Sequence, residues 1–206
     1  MNLVHSRYLY KDYIYLRLNS RHVKTVPVII LFASFLLQTS FSQQLFITRN
    51  GSASFTSNAP LEVIKAESNQ LSGVINPTDR TFAFTIDNKS FQGFNSSLQQ
   101  EHFFENYIEA QKYPVSTFKG KIIEEIDLNS REEQMVRAKG MLDIHGIEQE
   151  RIIRGTIRLT ENNIKLHAEF TVLLEDHQIK IPRVVFQKIA EVIDVSITVE
   201  LAKKID

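Results

Sequence analysis

The stretch Ala138-Lys-Gly-Met-Leu-Asp-Ile-His-Gly146 decides the fold. Ala138, Gly140, Leu142 and Ile144 fall on one side of an extended chain, and Lys139, Met141, Asp143 and His145 on the other. That period of two is the signature of a β-strand with one apolar face. His145-Gly146 then ends the run. Glycine adopts a positive φ at no steric cost, and a histidine side chain can bond to a turn backbone. A strand with one buried face, closed by a tight turn, calls for partners that share its interior.

The partners lie on both sides in the sequence. Upstream, Phe82, Phe84 and Ile86 alternate with Thr81, Ala83 and Thr85. Downstream, Ile153, Gly155, Ile157 and Leu159 form an inward set, as do Leu166, Ala168, Phe170 and Val172, and Val195, Ile197, Val199 and Leu201. Turn signals separate these runs at intervals typical of an all-β domain, among them Asn50-Gly51, Asn76-Pro77-Thr78-Asp79, Asp87-Asn88 and Glu161-Asn162-Asn163. Long strands with one apolar face form a sandwich or a closed antiparallel barrel. Short turns between them favour the barrel, which leaves no exposed edge. Small inward residues (Ala138, Gly140, Gly155, Ala168) either leave room for a ligand or let a tapered barrel pack tightly. The pattern alone supports both readings.

One segment interrupts the strands. Phe103, Phe104, Tyr107 and Ile108 recur at i, i+1, i+4 and i+5, an apolar stripe on a short helix expected around 97–112. Tyr113-Pro114 stops it, because a residue before proline is driven out of the α region. The stripe is expected to plug one end of the barrel. A second short helix is expected around 184–190.

The first 42 residues have a different character. Arg7, Lys11, Arg17, Arg21 and Lys24 precede the apolar run Val26–Leu37, and Ser40-Phe-Ser42 supplies small residues before Gln43. This is the layout of a secretory signal peptide, and the apolar run is shorter than the roughly 20 residues a membrane span needs. The expected mature chain is a single domain over 43–206, in the periplasm or secreted, with no integral membrane segment. Of the 24 basic and 24 acidic residues, five basic and one acidic lie in residues 1–42, which leaves 19 against 23. A mildly acidic domain does not suit nucleic acid. The absence of cysteine excludes disulfides, thiol nucleophiles, zinc–thiolate sites and a lipidated N-terminal cysteine.

Taken together, these residues resemble the YceI-like family of exported lipocalin-like barrels. The resemblance is carried by His102-Phe103-Phe104, Lys112-Tyr113-Pro114, Thr117-Phe-Lys-Gly120, the Gly140-x-Leu-x-Ile-His-Gly146 pattern and the closing amphipathic strand. It covers about Gln44 to Leu201. It implies a barrel of about eight strands around an apolar tunnel, and a polyisoprenoid or other long-chain lipid as ligand. Ser97-Leu-Gln-Gln100 stands where many members carry an arginine–aspartate pair. The loop Asp176–Pro182 and the segment Val184–Ala190 resemble a shorter branch of the family.

The residues expected to line the interior are Phe82, Phe84, Ile86, Phe118, Leu142, Ile144, Phe170 and Val172. They bind an apolar chain, or they are ordinary core. His102 and His145 are expected as a polar rim. Glu101 and Glu105 share a helix face that adjacent His102 does not, so this spacing favours a helix-terminal hydrogen bond or a polar contact at the barrel mouth over a metal site or an acid–base pair. His167 and His177 read as surface residues. Lys112, Lys119, Lys121 and Arg183 meet a headgroup only if they gather at one rim. No short catalytic motif such as G-x-S-x-G, a P-loop or H-E-x-x-H occurs. The expected function is therefore a non-enzymatic binding protein for a hydrophobic small molecule or lipid, without catalytic residue, metal or cofactor. A solid-cored interaction module, or an enzyme built around His102 or His145, stands as the alternative.

Overall fold

The computed structural model describes residues 44–204, so the expected signal segment at 1–42 lies outside the described residues. Eight strands follow one another: β1 (Phe46–Asn58), β2 (Val63–Asn76), β3 (Thr81–Asp87), β4 (Val115–Ile122), β5 (Glu133–Ile144), β6 (Ile147–Leu159), β7 (Asn163–Leu173) and β8 (Val192–Lys203). Each pairs antiparallel with its neighbours in sequence, and β8 closes on β1. In such a meander alternate connections share an end. The short turns after β2 and β6 and the loop after β4 therefore meet at one end, here the floor. The connections after β1, β3, β5 and β7 meet at the other, the mouth.

The inward sets fall where the alternation places them. Phe82, Ile157, Leu159, Ile164 and Leu201 are buried, with Phe46, Ile75, Val136 and Val199 beside them. Burial of each such side chain contributes about 1.5–3 kcal/mol. The floor is packed: Ile75, Ile157, Ile164 and Leu201 are at most 1% exposed. Gly140 is spent on closure, because a Cβ there would run into the Lys119 carbonyl oxygen of β4.

The β5–β6 hairpin explains His145-Gly146. Ile144 pairs with Ile147, so the turn has two residues, with φ of 56° and 72°. Positive φ at both is the I′ turn that matches the strand twist. A Cβ on Gly146 would strike the Tyr113 ring.

The helical segment differs in extent from the expected 97–112. The helix α1 (Ser97–His102) starts where expected, with Ser96 Oγ accepting from the Gln99 N–H. It continues as a π-helical turn over Phe103–Tyr107, closed by the Ile108 N–H on the Phe103 carbonyl. Glu109 then ends it in the left-handed region, φ 45°. The terminator is Glu109, and Tyr113-Pro114 serves to start β4. The second expected helix, at 184–190, is a 3₁₀ turn at Arg183–Val185 followed by further turns.

Residues 88–96 strap the side of the barrel. The upper half of β2 has no β3 partner, since that pairing covers only Ser72–Asn76. Gln92 instead exchanges two backbone hydrogen bonds with Glu67, and Asn95 Nδ2 donates to the Val63 carbonyl. The ladder edge is thereby partly covered, at Val63 and Glu67.

Candidate functional site

Above the packed floor the barrel is hollow. A cavity of about 580 Å³ runs through the interior to the mouth. All eight residues expected inside reach it: Phe82, Phe84 and Ile86 from β3, Phe118 from β4, Leu142 and Ile144 from β5, Phe170 and Val172 from β7. The small residues now divide by role. Ala138 and Ala168 line the cavity and leave space, while Gly140 serves backbone approach and Gly155 lines the cavity but also lets the His167 carbonyl come close. The wall is almost wholly carbon, so the space suits an apolar body, and its volume lies within the roughly 300–1,000 Å³ of ligand pockets. In the upper barrel these residues border open space.

Phe103, Tyr107 and Ile108 cover the mouth from one side. Phe104 does not reach the cavity; its ring packs on Phe94 and Phe103. The π-helical turn lengthens the local repeat, so residues spaced for one α-helical stripe separate. Phe103 joins a cluster that the sequence reading missed, with Phe55, Phe91 and Phe94 at centroid distances of 5.2–6.0 Å. Burial pushes the Tyr107 phenol upward.

Polar groups concentrate at the mouth. Glu62, Gln99, His102 and Lys188 stand on the cavity border. Glu62 Oε1 accepts from Gln99 Nε2 at 3.0 Å, tying the β1–β2 connection to α1. Deeper, the buried Asn88 fixes the start of β4. Its Nδ2 donates to the Tyr113 carbonyl, and its Oδ1 accepts from Ser116 Oγ, both at 2.8 Å. Asp87-Asn88 carried only a turn signal in the sequence.

The two rim histidines part company. His102 lines the mouth, whereas His145 lies outside the cavity. His145 Nε2 is 2.6 Å from Glu109 Oε2, and its Nδ1 bonds the His177 carbonyl at 3.1 Å. The ring stands edge-on to Tyr113 at 4.7 Å. It is a bracket joining the β5–β6 turn, the end of the helical segment and the β7–β8 connection. The His145–Glu109 pair thus converges outside the cavity.

His177 corrects the surface reading. It is 1% exposed, with Nδ1 on the Ile147 carbonyl at 3.0 Å and no hydrogen-bond partner at Nε2. Burial holds its imidazole below the ordinary value, against the pull of the Ile147 and Ile144 carbonyls. A lone histidine in a loop gives no sequence signal of burial. His167 is exposed, beside Thr198. Nor do the candidate cations gather. Lys119 pairs outward with Glu148, Lys121 lies opposite Lys139, and Lys112 sits over the Tyr113 ring. Arg183 and Lys112 belong to mouth connections, and Lys112 is turned onto the Tyr113 ring. Among the described residues no cluster of histidine and carboxylates is arranged to hold a metal.

The comparisons with known proteins agree with this geometry. The YceI-like domain matches residues 42–201. Among solved structures, a polyisoprenoid binding domain from Saccharophagus degradans implicated in plant cell wall breakdown superposes with a TM-score of 0.66 at 15% identity, over 79% of this chain and 100% of that one. BcnA of Burkholderia cenocepacia gives 0.60 at 14%, over 75% and 96%. The Campylobacter jejuni YCEI protein gives 0.55 at 19%, over 68% and 85%. At these identities the likeness is one of fold. No curated protein matches the chain. The match over most of the described barrel places the chain in the YceI-like domain family.

Proposed function

We propose that the chain is an exported, non-enzymatic carrier that holds one long-chain apolar molecule, of the polyisoprenoid or a similar lipid class, inside the barrel. The observation that supports this most directly is the 580 Å³ cavity walled by Phe84, Phe118, Phe170 and their neighbours. At about 0.8 kcal/mol per buried CH₂, a handful of isoprene units offsets the cost of association. The binding activity that names the Saccharophagus degradans domain supports the same ligand class by analogy. The charged outer wall, with Lys119, Lys139 and Glu148 outward, suits a water-filled compartment. Among the described residues no helix is long and apolar enough to cross a membrane. The basic stretch and apolar run before Gln43 support export.

Native mass spectrometry of protein purified from its own cell envelope or medium, followed by lipid extraction, tests the reading. One long-chain apolar species per chain is the expected result. A barrel that is empty in every preparation and takes up no added polyprenol overturns it. Protein retained in the cytoplasm overturns the export step.

A further inference from the structure

Beside its polar groups the mouth also carries exposed apolar side chains. Val184 is 90% exposed, Phe186 63%, Leu61 67% and Leu98 57%. These are large apolar side chains in three separate connections, and the structure brings them to one place. The Leu61 N–H donates to the Gln187 carbonyl at 2.9 Å, which seats the β1–β2 connection against the turn that carries Phe186. The Gln99–Glu62 bond ties Leu98 on α1 to the same connection. Val185 and Leu98 line the cavity, so the exposed residues continue the inner wall outward. A contiguous exposed apolar patch marks a docking surface.

Charge identifies what docks there. The segment Ile179–Ala190 contains Lys180, Arg183 and Lys188 and no acidic residue. None of the three makes an ion pair or a side-chain hydrogen bond among the described residues. The acidic side chains on the mouth connections are Glu62, Glu101, Glu105, Glu109, Glu175, Asp176 and Glu191; Glu62 is occupied by Gln99, Glu109 by His145 and Asp176 by Arg151, whereas Arg183 and Lys188 flank Val184–Phe186 in the chain. Apolar side chains flanked by free cations match the interface of an anionic bilayer, where the apolar tips enter the acyl boundary and the cations meet phosphate.

We infer that the mouth docks on an anionic lipid bilayer through Leu61, Leu98, Val184 and Phe186 together with Lys180, Arg183 and Lys188. The ligand then passes between membrane and barrel along a continuous apolar path. The inference rests on the carrier reading for its purpose and on the exposed patch for its existence.

Vesicle co-sedimentation tests it, with full-length mature protein and vesicles of phosphatidylcholine alone or mixed equally with phosphatidylglycerol. The wild type is expected to sediment with the mixed vesicles and weakly with the neutral ones. The pair V184S/F186S is expected to lose roughly tenfold or more in affinity, and R183Q roughly fivefold. L128S, at the floor end, is expected to bind as wild type; Leu128 is exposed there. Equal binding by V184S/F186S and wild type overturns the inference, as does an equal loss in L128S or no vesicle binding at all. Lipid found in the barrel without any vesicle binding removes the docking surface and leaves the carrier. Vesicle binding by a barrel that never holds lipid does the reverse.

Discussion

His145 and Glu109 both hold left-handed backbone, with φ of 56° and 45°, and their side chains meet at 2.6 Å. Each conformation costs roughly 1 kcal/mol for a residue with a Cβ. The bond between the two side chains offsets that cost and ties a hairpin turn to a helix terminus 36 residues away.

Replacing His145 therefore acts twice. H145A is expected to lower unfolding stability by about 2 kcal/mol, through the lost bond and the worse left-handed fit of alanine. H145N tolerates that backbone and is expected to cost about 1 kcal/mol. Urea unfolding of the two variants separates the terms. Equal losses would show that the turn conformation contributes nothing.

His177 should make the fold acid-sensitive. Its imidazole is held below the ordinary value by burial. The unfolded chain takes up a proton there, near pH 6.5, that the folded chain refuses. Stability is then complete above about pH 6.5 and declines as the pH falls toward the lowered folded value. H177Q is expected to flatten that part of the profile relative to wild type. Parallel profiles, measured as urea midpoints from about pH 7.5 down to 5.5, would rule His177 out as the cause.

Ala168 offers a way to fill the cavity without disturbing the strands. A168F adds a ring to a wall position that faces empty space. Overpacking a solid core costs about 1–3 kcal/mol, whereas here a change within about 1 kcal/mol is expected, with loss of the bound lipid. Thermal unfolding and native mass spectrometry on the same sample report both. A destabilised variant that still holds lipid would show the cavity is elsewhere.

Phe103 should govern exchange. Its ring touches Phe55, Phe91, Phe94 and Phe104 and borders the mouth. F103A is expected to cost about 2 kcal/mol of stability, less than the roughly 3–5 of a fully buried phenylalanine. It should also speed release of a fluorescent fatty acid several-fold. Unchanged release would place the door away from the helix.

The fold was legible where the alternation ran unbroken. In β3, β5, β6, β7 and β8 the period of two assigned the inward sets, which hold seven of the eight expected wall residues; the eighth, Phe118, lies on β4. In β1 and β2 it was not legible, for a physical reason. Inward positions run Phe46, Thr48, then Gly51, Ala53, Phe55, because register shifts lie between Thr48 and Ala53. Along β2 the buried Ile64, Ala66 and Ser68 give way to Leu71 and Ile75. An extra residue flips the parity of everything after it, so the pattern reads as noise. Phe55 went unnoticed on that account, and the aromatic cluster with it.

The polar parts were less readable. Asn88, Glu109 and His177 act through partners 25 to 36 residues distant. No local spacing encodes such partners. The Ile-His-Gly pattern was visible as a turn, but its bond to Glu109 was not. The exposure of Phe186 was equally hidden, since a short apolar run reads the same on a buried helix as on a bare loop.

The packed floor has a consequence for traffic. Ile75, Ile157, Ile164 and Leu201 seal that end, so whatever enters between α1 and the turn at Phe186 must return the same way. On the carrier reading proposed above, a chain-shaped guest would go in tail first and come out head first, its orientation fixed for the whole stay. A molecule longer than the cavity is not refused; its surplus simply remains outside with the headgroup. Such a vessel grades its guests by the tail they insert and leaves the exposed head free for whatever next handles it.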